Sequence, residues 1–247
     1  MIPAPFRGSW CATDLGGYRP CRNTYGIYPI DSLPPLDDAA FTGEFTWFGD
    51  TGHVLPEQAA AMDRLDADLA AHGLSLPPDF VALQSRSHLY LALDQATGTC
   101  CWTSLSAPLP SPLESDARMV RFFRDQQDCV MWYLYLRPSG ESFVVHTYRD
   151  LEYEAEVKAG GDPDEIEDLP DYDNDPDYEI FWCAPTVETF TYRVWIESRI
   201  ERALWEGRSL DDLDPRQRAY LAHYVTEPSS LDSEVDHRSR TELIRET

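Results

Sequence analysis

The chain has 247 residues, of which 43% are hydrophobic and 12% aromatic, and its formal net charge is −24. This composition supplies enough apolar side chains for one substantial core, so it excludes a chain that is disordered throughout. The charge argues against nucleic acid and anionic lipid as partners, because both attract lysine and arginine and repel carboxylates. A cationic partner fits the chain better.

Residues 1–55 are rich in proline, glycine and aromatic residues and show no helical period, which predicts an irregular leader packed on the core. Alternation within Phe45–Phe48 predicts one short strand that ends in a turn. The leader has no basic stretch followed by an apolar one, and no later segment reaches the roughly 18 apolar residues of a membrane helix. We therefore expect a cytoplasmic protein. Six leader aromatics are candidate anchors of a binding patch: Trp10, Tyr18, Tyr25, Tyr28, Trp47 and Phe48.

Residues 56–225 are predicted to form the folded domain, which opens with two helices. The first runs over residues 56–72, and its apolar positions recur at helical spacing. The second starts near Pro77–Asp79 and continues through Gln84. Strands at hairpin spacing are then expected at Leu89–Leu93, Cys100–Leu105, Met119–Arg124, Cys129–Leu136 and Glu141–Tyr148.

Two features punctuate this run of strands. The prolines at 108, 110 and 112 predict a loop, and Arg137–Gly140 has the proline and glycine positions of a type I turn. In Cys129–Leu136 the side chains of both alternating sets are largely apolar. Such a strand is expected in the middle of a sheet.

Residues Asp150–Glu179 form an acidic stretch, which we call the acidic ribbon. It contains fourteen acidic residues and one base, Lys158, so its net charge is −13. A basic partner is attracted by such a concentration of carboxylates, and steering of this kind raises association rates by about 10- to 10³-fold. A charge run is also typical of a solvated loop that only keeps a protein soluble. The candidate partner-binding residues are Asp164, Glu165, Glu167, Asp168, Asp171, Asp173, Asp175 and Asp177.

After the ribbon, Tyr178–Cys183 predicts a last strand, and Thr186 is a suitable N-cap for a long helix that ends at Gly207. A further helix is expected from Asp214 to about Val225, and residues 226–247 predict a polar, flexible tail. Two helices, a run of strands and a long closing helix favour an α+β fold. We expect a single, mainly antiparallel sheet with helices packed on one side.

Three stretches carry a resemblance to a known family: Leu76–Phe80, the strand within Arg124–Tyr135 and the helix Phe190–Glu197. Over residues 76–205, about half of the chain, the sequence resembles the SUKH superfamily, whose bacterial members are mostly immunity proteins encoded beside toxins. The resemblance implies a SUKH-like α+β domain that binds a toxin domain and covers its active surface. Nuclease toxins present basic grooves, so the acidic ribbon is a candidate phosphate mimic.

Metal-binding and catalytic sites are alternatives to a partner-binding role for these residues. Residues Asp171–Glu179 place carboxylates at alternate positions, as a calcium loop does, but Pro176 stands where that loop needs glycine and Trp182 where it needs glutamate. No cysteine pair has zinc-ligand spacing with a matching second pair. The sequence contains no Gly-rich phosphate loop, Gly-x-Ser-x-Gly elbow or His-Glu-x-x-His motif. We therefore assign no catalytic residue, metal or cofactor.

The six cysteines, at 11, 21, 100, 101, 129 and 183, are expected to be reduced and mostly buried in a cytosolic protein. Cys129 and His146 are the one thiol and imidazole that the hairpin prediction brings near each other, and the strand register decides that pairing. As part of a hydrophobic strand, Cys129 is expected to be an inert core residue.

The sequence thus favours a non-enzymatic protein-binding module, an immunity-type antagonist of a basic, nuclease-like toxin. Two alternatives stay open. One is a metal-dependent hydrolase that uses the acidic 162–179 segment, and the other is a cytosolic adaptor or scaffold protein that binds through the aromatic leader.

Overall fold

The computed structural model describes residues 2–12, 14–21, 26–98, 100–160 and 179–226. Within these ranges eight strands form one sheet in the order β2-β1-β8-β7-β6-β5-β3, and β4 pairs with β5. Neighbouring strands are antiparallel except for β1 and β8, so the predicted α+β class with a mainly antiparallel sheet is confirmed. The strands are β1 Arg7–Ala12, β2 Gly26–Pro29, β3 Cys101–Thr103, β4 Leu109–Pro110, β5 Arg118–Asp125, β6 Met131–Leu136, β7 Ser142–Thr147 and β8 Phe181–Ala184.

Strand β6 is the centre of the sheet. It lies between β5 and β7, and all six of its residues are buried. Trp132 and Leu134 belong to the hydrophobic cluster on one face, whereas Met131, Tyr133 and Tyr135 belong to the cluster on the other. The prediction of a central strand with two apolar faces is therefore confirmed.

The helices are α1 Pro56–Ala70, α2 Pro78–Ser85, α3 Ala92–Ala96, α4 Leu151–Gly160, α5 Val187–Trp205 and α6 Pro215–Thr226. Helices α1, α2, α3 and the first half of α5 bury their apolar side chains in the same cluster as Trp132. The second half of α5 packs against α6 in a separate cluster. Among the described residues, no helix is both long and apolar enough to cross a bilayer.

The caps of α5 agree with the sequence. Thr186 Oγ1 accepts a hydrogen bond from the backbone N–H of Thr189 at 3.0 Å. Past the other end, Gly207 adopts a left-handed φ of 73°, a conformation that glycine adopts without steric cost.

Helix α4 is an element that the sequence analysis does not predict, because it begins inside the acidic ribbon. Its buried residues Leu151 and Val157 join the cluster around Met131, on the sheet face opposite to that of the other helices. The hydroxyl of Tyr133 accepts the N–H of Leu151 at 3.2 Å and donates to the carbonyl of Arg149 at 3.0 Å. The sheet therefore fixes the start of the helix.

Four local predictions in the first half of the chain are wrong. The loop predicted at prolines 108, 110 and 112 contains the two-residue strand β4. The leader contributes β1 and β2 to the sheet instead of being irregular throughout, because Gly8 and Ser9 in β1 and Gly26 and Pro29 in β2 hide any apolar alternation. Phe45–Phe48 is a turn, in which Phe45 has a φ of 56°. The segment Leu89–Leu93 is a turn leading into α3, since Leu89 and Leu93 are buried while Leu91 is exposed. This is helical spacing, not strand alternation.

Candidate functional site

The predicted partner-binding residues all fall within residues 161–178, which lie outside the described part of the chain. The same is true of most of the calcium-like stretch, Asp171–Glu179, of which Glu179 is described. Two described elements border this segment: helix α4, which ends at Gly160, and strand β8, which begins at Phe181. The contacts that can be described for the acidic ribbon are therefore those at its two ends, at α4 and at β8.

At the α4 end, acidic side chains of the ribbon are paired with Arg121 of β5 and with Arg149, which lies between β7 and α4. Arg121, a buried residue of β5, contacts Asp150 at 3.2 Å and also contacts Glu152. Arg149 donates two hydrogen bonds to Glu154, at 2.9 and 2.7 Å. Both Arg149 and Glu154 are buried, which makes this pair stronger than an exposed ion pair.

At the β8 end, Glu179 accepts a hydrogen bond from Arg7 at 2.9 Å. The Arg7 guanidinium also lies over the ring of Phe181, 5.8 Å from its centroid. Thus four acidic residues of the ribbon are compensated by arginines of the fold. Residues 161–178 carry nine further acidic residues and no base in the sequence.

A second group of charged residues, which the sequence analysis did not identify, joins the leader to the last two helices. Arg19 donates to both oxygens of Glu197, at 2.6 and 2.7 Å, and both side chains are buried. Glu197 also accepts hydrogen bonds from Trp10 Nε1, at 2.8 Å, and from the Tyr220 hydroxyl. Burial raises the pKa of Glu197, but the charge and hydrogen bonds of Arg19 outweigh that effect and hold the pKa below its usual value.

A pair of buried carboxylates, Asp79 and Glu188, lies where the first turns of α2 and α5 meet the leader. Asp79 Oδ2 accepts the backbone N–H of Glu188 at 3.0 Å. Glu188 in turn accepts the backbone N–H of Gly43 at 2.5 Å. Burial raises the pKa of both carboxyl groups. In the sequence, Glu188 is an acidic residue in the first turn of α5, a position that does not by itself indicate burial.

The register does not bring Cys129 to His146. Strand β6 pairs Trp132 with His146, whereas Cys129 lies before the strand and is exposed, which corrects the prediction of a buried thiol. His146 Nε2 instead contacts Ser9 Oγ at 2.8 Å, and both residues are buried. Burial lowers the pKa of His146 to about 3, so the imidazole is neutral at physiological pH.

All six cysteines lie in the described ranges and are reduced, and of these Cys11, Cys101 and Cys183 are buried, so the expectation of mostly buried thiols holds for half of them. Burial raises the pKa of Cys11 and of Cys183 well above the usual thiol value, which makes both poor nucleophiles. In the described part of the chain, no group of three or more His, Cys, Asp or Glu side chains is arranged to hold a metal ion.

The described aromatic residues of the leader pack into the core and do not form an exposed patch. Trp10 and Tyr28 are buried, and Trp47, Phe48 and Tyr18 pack partly buried against hydrophobic clusters; Tyr25 lies outside the described residues. By contrast, Trp205, the last residue of α5, is 93% exposed.

The chain matches no protein-family model, no curated protein and no solved structure. The resemblance to the SUKH superfamily thus stays a prediction.

Proposed function

We propose that this protein is a non-enzymatic binding protein, an immunity-type antagonist that covers the active surface of a basic, nuclease-like toxin. Its partner-binding residues are the carboxylates of the acidic ribbon, Asp164, Glu165, Glu167, Asp168, Asp171, Asp173, Asp175 and Asp177. The resemblance to SUKH immunity proteins is one support, and the distribution of charge is the other.

One observation carries the proposal. The fold supplies Arg121, Arg149 and Arg7 to the acidic residues at the two ends of the ribbon, while residues 161–178 bring nine acidic residues and no base of their own. Like charges at this density repel one another, so a cationic surface that binds them lowers the electrostatic free energy. A basic groove built for phosphates offers such a surface.

The two ends of this segment are well anchored. Helix α4 packs on the sheet through Leu151 and Val157, and β8 is paired with both β1 and β7. A segment held at both ends loses less conformational entropy on binding than a free tail does. The anchors therefore favour tight capture of a partner.

The test compares two variants with the same change in net charge. In the first, Asp171, Asp173, Asp175 and Asp177 are all replaced by Asn. In the matched control, four exposed acidic residues outside the ribbon are replaced by their amides: Glu57→Gln, Asp63→Asn, Asp68→Asn and Asp116→Asn. The probe is the basic C-terminal domain of a secreted protein encoded beside this chain, and binding is measured by calorimetry at low and at physiological salt.

We expect the ribbon variant to bind at least ~10-fold more weakly at low salt and to show a smaller salt dependence, since it has lost charges at the interface. The control variant should bind nearly as tightly as the wild type, because its charges lie elsewhere. Equal affinities of the ribbon variant and the wild type would refute the role of the ribbon. A stoichiometric heat on titration with Ca²⁺, Mg²⁺ or Mn²⁺ alone would instead favour the metal-dependent hydrolase.

A further inference from the structure

Residues 41–48 form an aromatic turn on helix α5, which we call the strap. Its rings contact two aromatic residues of the helix: Trp47 lies 5.0 Å from Tyr192 and 5.4 Å from Trp195, measured between ring centroids. Phe45 is fully buried, yet its φ is 56°. A bulky residue is unfavourable in this left-handed conformation, so contacts with the rest of the protein must hold the strap in place.

The polar contacts of the strap with the helices centre on Glu188. Its carboxylate accepts the backbone N–H of Gly43 at 2.5 Å. At the far end of the strap, Arg216 of α6 donates to the carbonyl of Trp47 at 2.8 Å. The indole N–H of Trp47 lies close enough to favour the ionised form of Glu188. However, within the described ranges neither Trp47 Nε1 nor Glu188 Oε1, both buried atoms, meets hydrogen-bond geometry with any partner.

Asp79 places a second carboxylate next to Glu188. It accepts the N–H of Phe80 at 2.9 Å and that of Glu188 at 3.0 Å, so it caps the first turns of two helices at once. The two carboxylates are both buried, and the charge of Asp79 acts unfavourably on Glu188. Burial is the larger cause of the raised pKa of each. A buried carboxylate pair of this kind favours the uptake of a proton.

The other ionisable groups near the strap are either exposed or act on Tyr192. Glu44, in the strap itself, is exposed. On α5, Tyr192 has a pKa raised by burial, and on α6 the charges of Arg216 and Asp214 act on Tyr192 with opposite sign. Asp79 is the neighbour whose charge raises the pKa of Glu188. The proton balance of the strap therefore depends on the Asp79 and Glu188 pair.

We propose that Asp79 and Glu188 form a proton-linked latch, which holds the strap tightly on α5 when the pair carries a proton and loosens it when both carboxylates are ionised. In an opened strap the two groups are solvated and titrate near their ordinary pKa values, 3.8 and 4.5. In the closed strap their pKa values are higher, so a proton binds the closed form more tightly. The added stability of the closed strap is complete below the ordinary values and is lost as the pH rises through the raised ones.

Opening changes what the protein presents to solvent. It uncovers the buried ring of Phe45 together with Trp47 and the faces of Tyr192 and Trp195 that the strap covers. Aromatic side chains are the residues that most often dominate protein interfaces. The latch thus controls access to an aromatic surface on α5 that is independent of the acidic ribbon.

The test is hydrogen exchange of the full chain, followed by mass spectrometry of peptides that cover residues 41–48. Rates are converted to protection factors, which removes the intrinsic pH dependence of amide exchange. We expect protection of the wild-type strap to fall as the pH rises above the ordinary glutamate value of 4.5, by up to ~10-fold per pH unit for one linked proton. The variant Glu188→Gln, which keeps an acceptor for Gly43, should show a clearly weaker pH dependence of protection, because only Asp79 is left to titrate.

The matched control is Glu44→Gln, an identical chemical change at the exposed glutamate of the strap. It should keep the wild-type pH dependence, and Asp79→Asn should weaken it. Wild-type protection that is constant or increases with pH would overturn the proposal, whether or not the variants fold. So would equal pH dependence in Glu188→Gln and Glu44→Gln.

Discussion

Helix α5 buries two glutamates in opposite electrostatic environments. Glu197, in the middle of the helix, accepts two hydrogen bonds from Arg19 and one each from Trp10 and Tyr220. Glu188, in the first turn, accepts backbone N–H groups of the strap and faces a second carboxylate, that of Asp79. The pKa of Glu197 is lowered, although burial opposes this, whereas the pKa of Glu188 is raised, chiefly by burial.

The comparison shows that burial alone does not set the charge state of a carboxyl group. Burial penalises the ionised form at both positions, and the outcome depends on whether a full positive charge faces the group. Arg19 supplies that charge to Glu197, while uncharged N–H donors only partly stabilise Glu188. Both glutamates bind the leader to the helix, but Glu197 does so as a permanent ion pair and Glu188 as a group that responds to pH.

Of the changes considered, removal of Arg19 should lower the free energy of unfolding the most. The variant Arg19→Met leaves Glu197 as a buried charge without its counterion, which costs ~3–5 kcal/mol of unfolding free energy. The measurement is urea unfolding at neutral pH. Arg64→Met, at an exposed arginine of α1, is the control and should change stability by less than ~0.5 kcal/mol.

A double variant sharpens this result. Arg19→Met combined with Glu197→Met removes both charges, so it should recover much of the stability lost in the single variant. A single-variant loss below ~1 kcal/mol would contradict the assignment of Arg19 and Glu197 as a buried ion pair.

His146 extends the comparison to a buried base whose polar partner is the uncharged hydroxyl of Ser9. Its pKa is lowered from 6.5 to about 3 by burial, so the unfolded chain takes up a proton at a higher pH than the folded chain does. Its contribution to stability is complete above pH 6.5 and is lost as the pH falls toward 3, at up to ~1.4 kcal/mol per pH unit.

The variant His146→Phe keeps a ring that stacks on Phe181 but does not titrate. We expect the stability of the wild type to fall relative to this variant as the solution is acidified, measured by chemical unfolding at a series of pH values. Parallel pH profiles of the two proteins would show that His146 is not a source of acid sensitivity.

Replacing each glutamate of α5 by glutamine compares the two sites directly. Glu197→Gln leaves the Arg19 charge unpaired and should cost ~2–3 kcal/mol at neutral pH. Glu188→Gln removes a charge that burial disfavours, so it should change stability by less than ~1 kcal/mol or increase it. The stability of each variant is measured by thermal and by urea unfolding. An equal loss of stability in the two variants would contradict the proposed difference between Glu197 and Glu188.

The two contributions also differ in their pH dependence. The pKa of Glu197 is lowered, so its contribution to the stability of the fold is present above the ordinary pKa of 4.5. This contribution is lost as the pH falls through the lowered pKa of the folded protein. That of Glu188, whose pKa is raised, changes in the opposite direction, because the protein gains stability when the group is protonated. The glutamine variants should therefore differ from the wild type with opposite pH trends.

The parts of the fold that were predictable from the sequence have strong periodicity. Strand β6 alternates two apolar faces, and α5 has a cap, a broad apolar face and a terminal glycine, so both were predicted correctly. The strands β1 and β2 were not, because a short strand is defined by the strands that it pairs with more than by its own pattern; β1 pairs with β2 and β8, and β2 pairs with β1. Likewise, the glutamates of α4, one of which is buried, concealed its buried apolar positions Leu151 and Val157.

The buried charged pairs were not predictable for a different reason. Arg19 and Glu197 are far apart in the chain, and nothing local distinguishes them from exposed residues of the same type. Only the packing of the leader on α5 brings them together. The arginines that compensate the ends of the ribbon, Arg121, Arg149 and Arg7, are hidden from sequence reasoning in the same way.

The smallest expected effect concerns the end of α5 that carries Glu188. Thr186 Oγ1 accepts the N–H of Thr189 at 3.0 Å, and loss of such an N-cap costs ~1 kcal/mol. Thr186→Ala should therefore lower the unfolding free energy by about that amount, while Thr186→Ser, which keeps the hydroxyl, should lower it much less. Because the first turn of the helix also positions the backbone N–H that Asp79 accepts, the alanine variant should loosen the Glu188 site and leave the Arg19 and Glu197 pair unchanged. Equal stability of the alanine and serine variants would mean that Asp79, and not Thr186, is the cap that fixes this end of the helix.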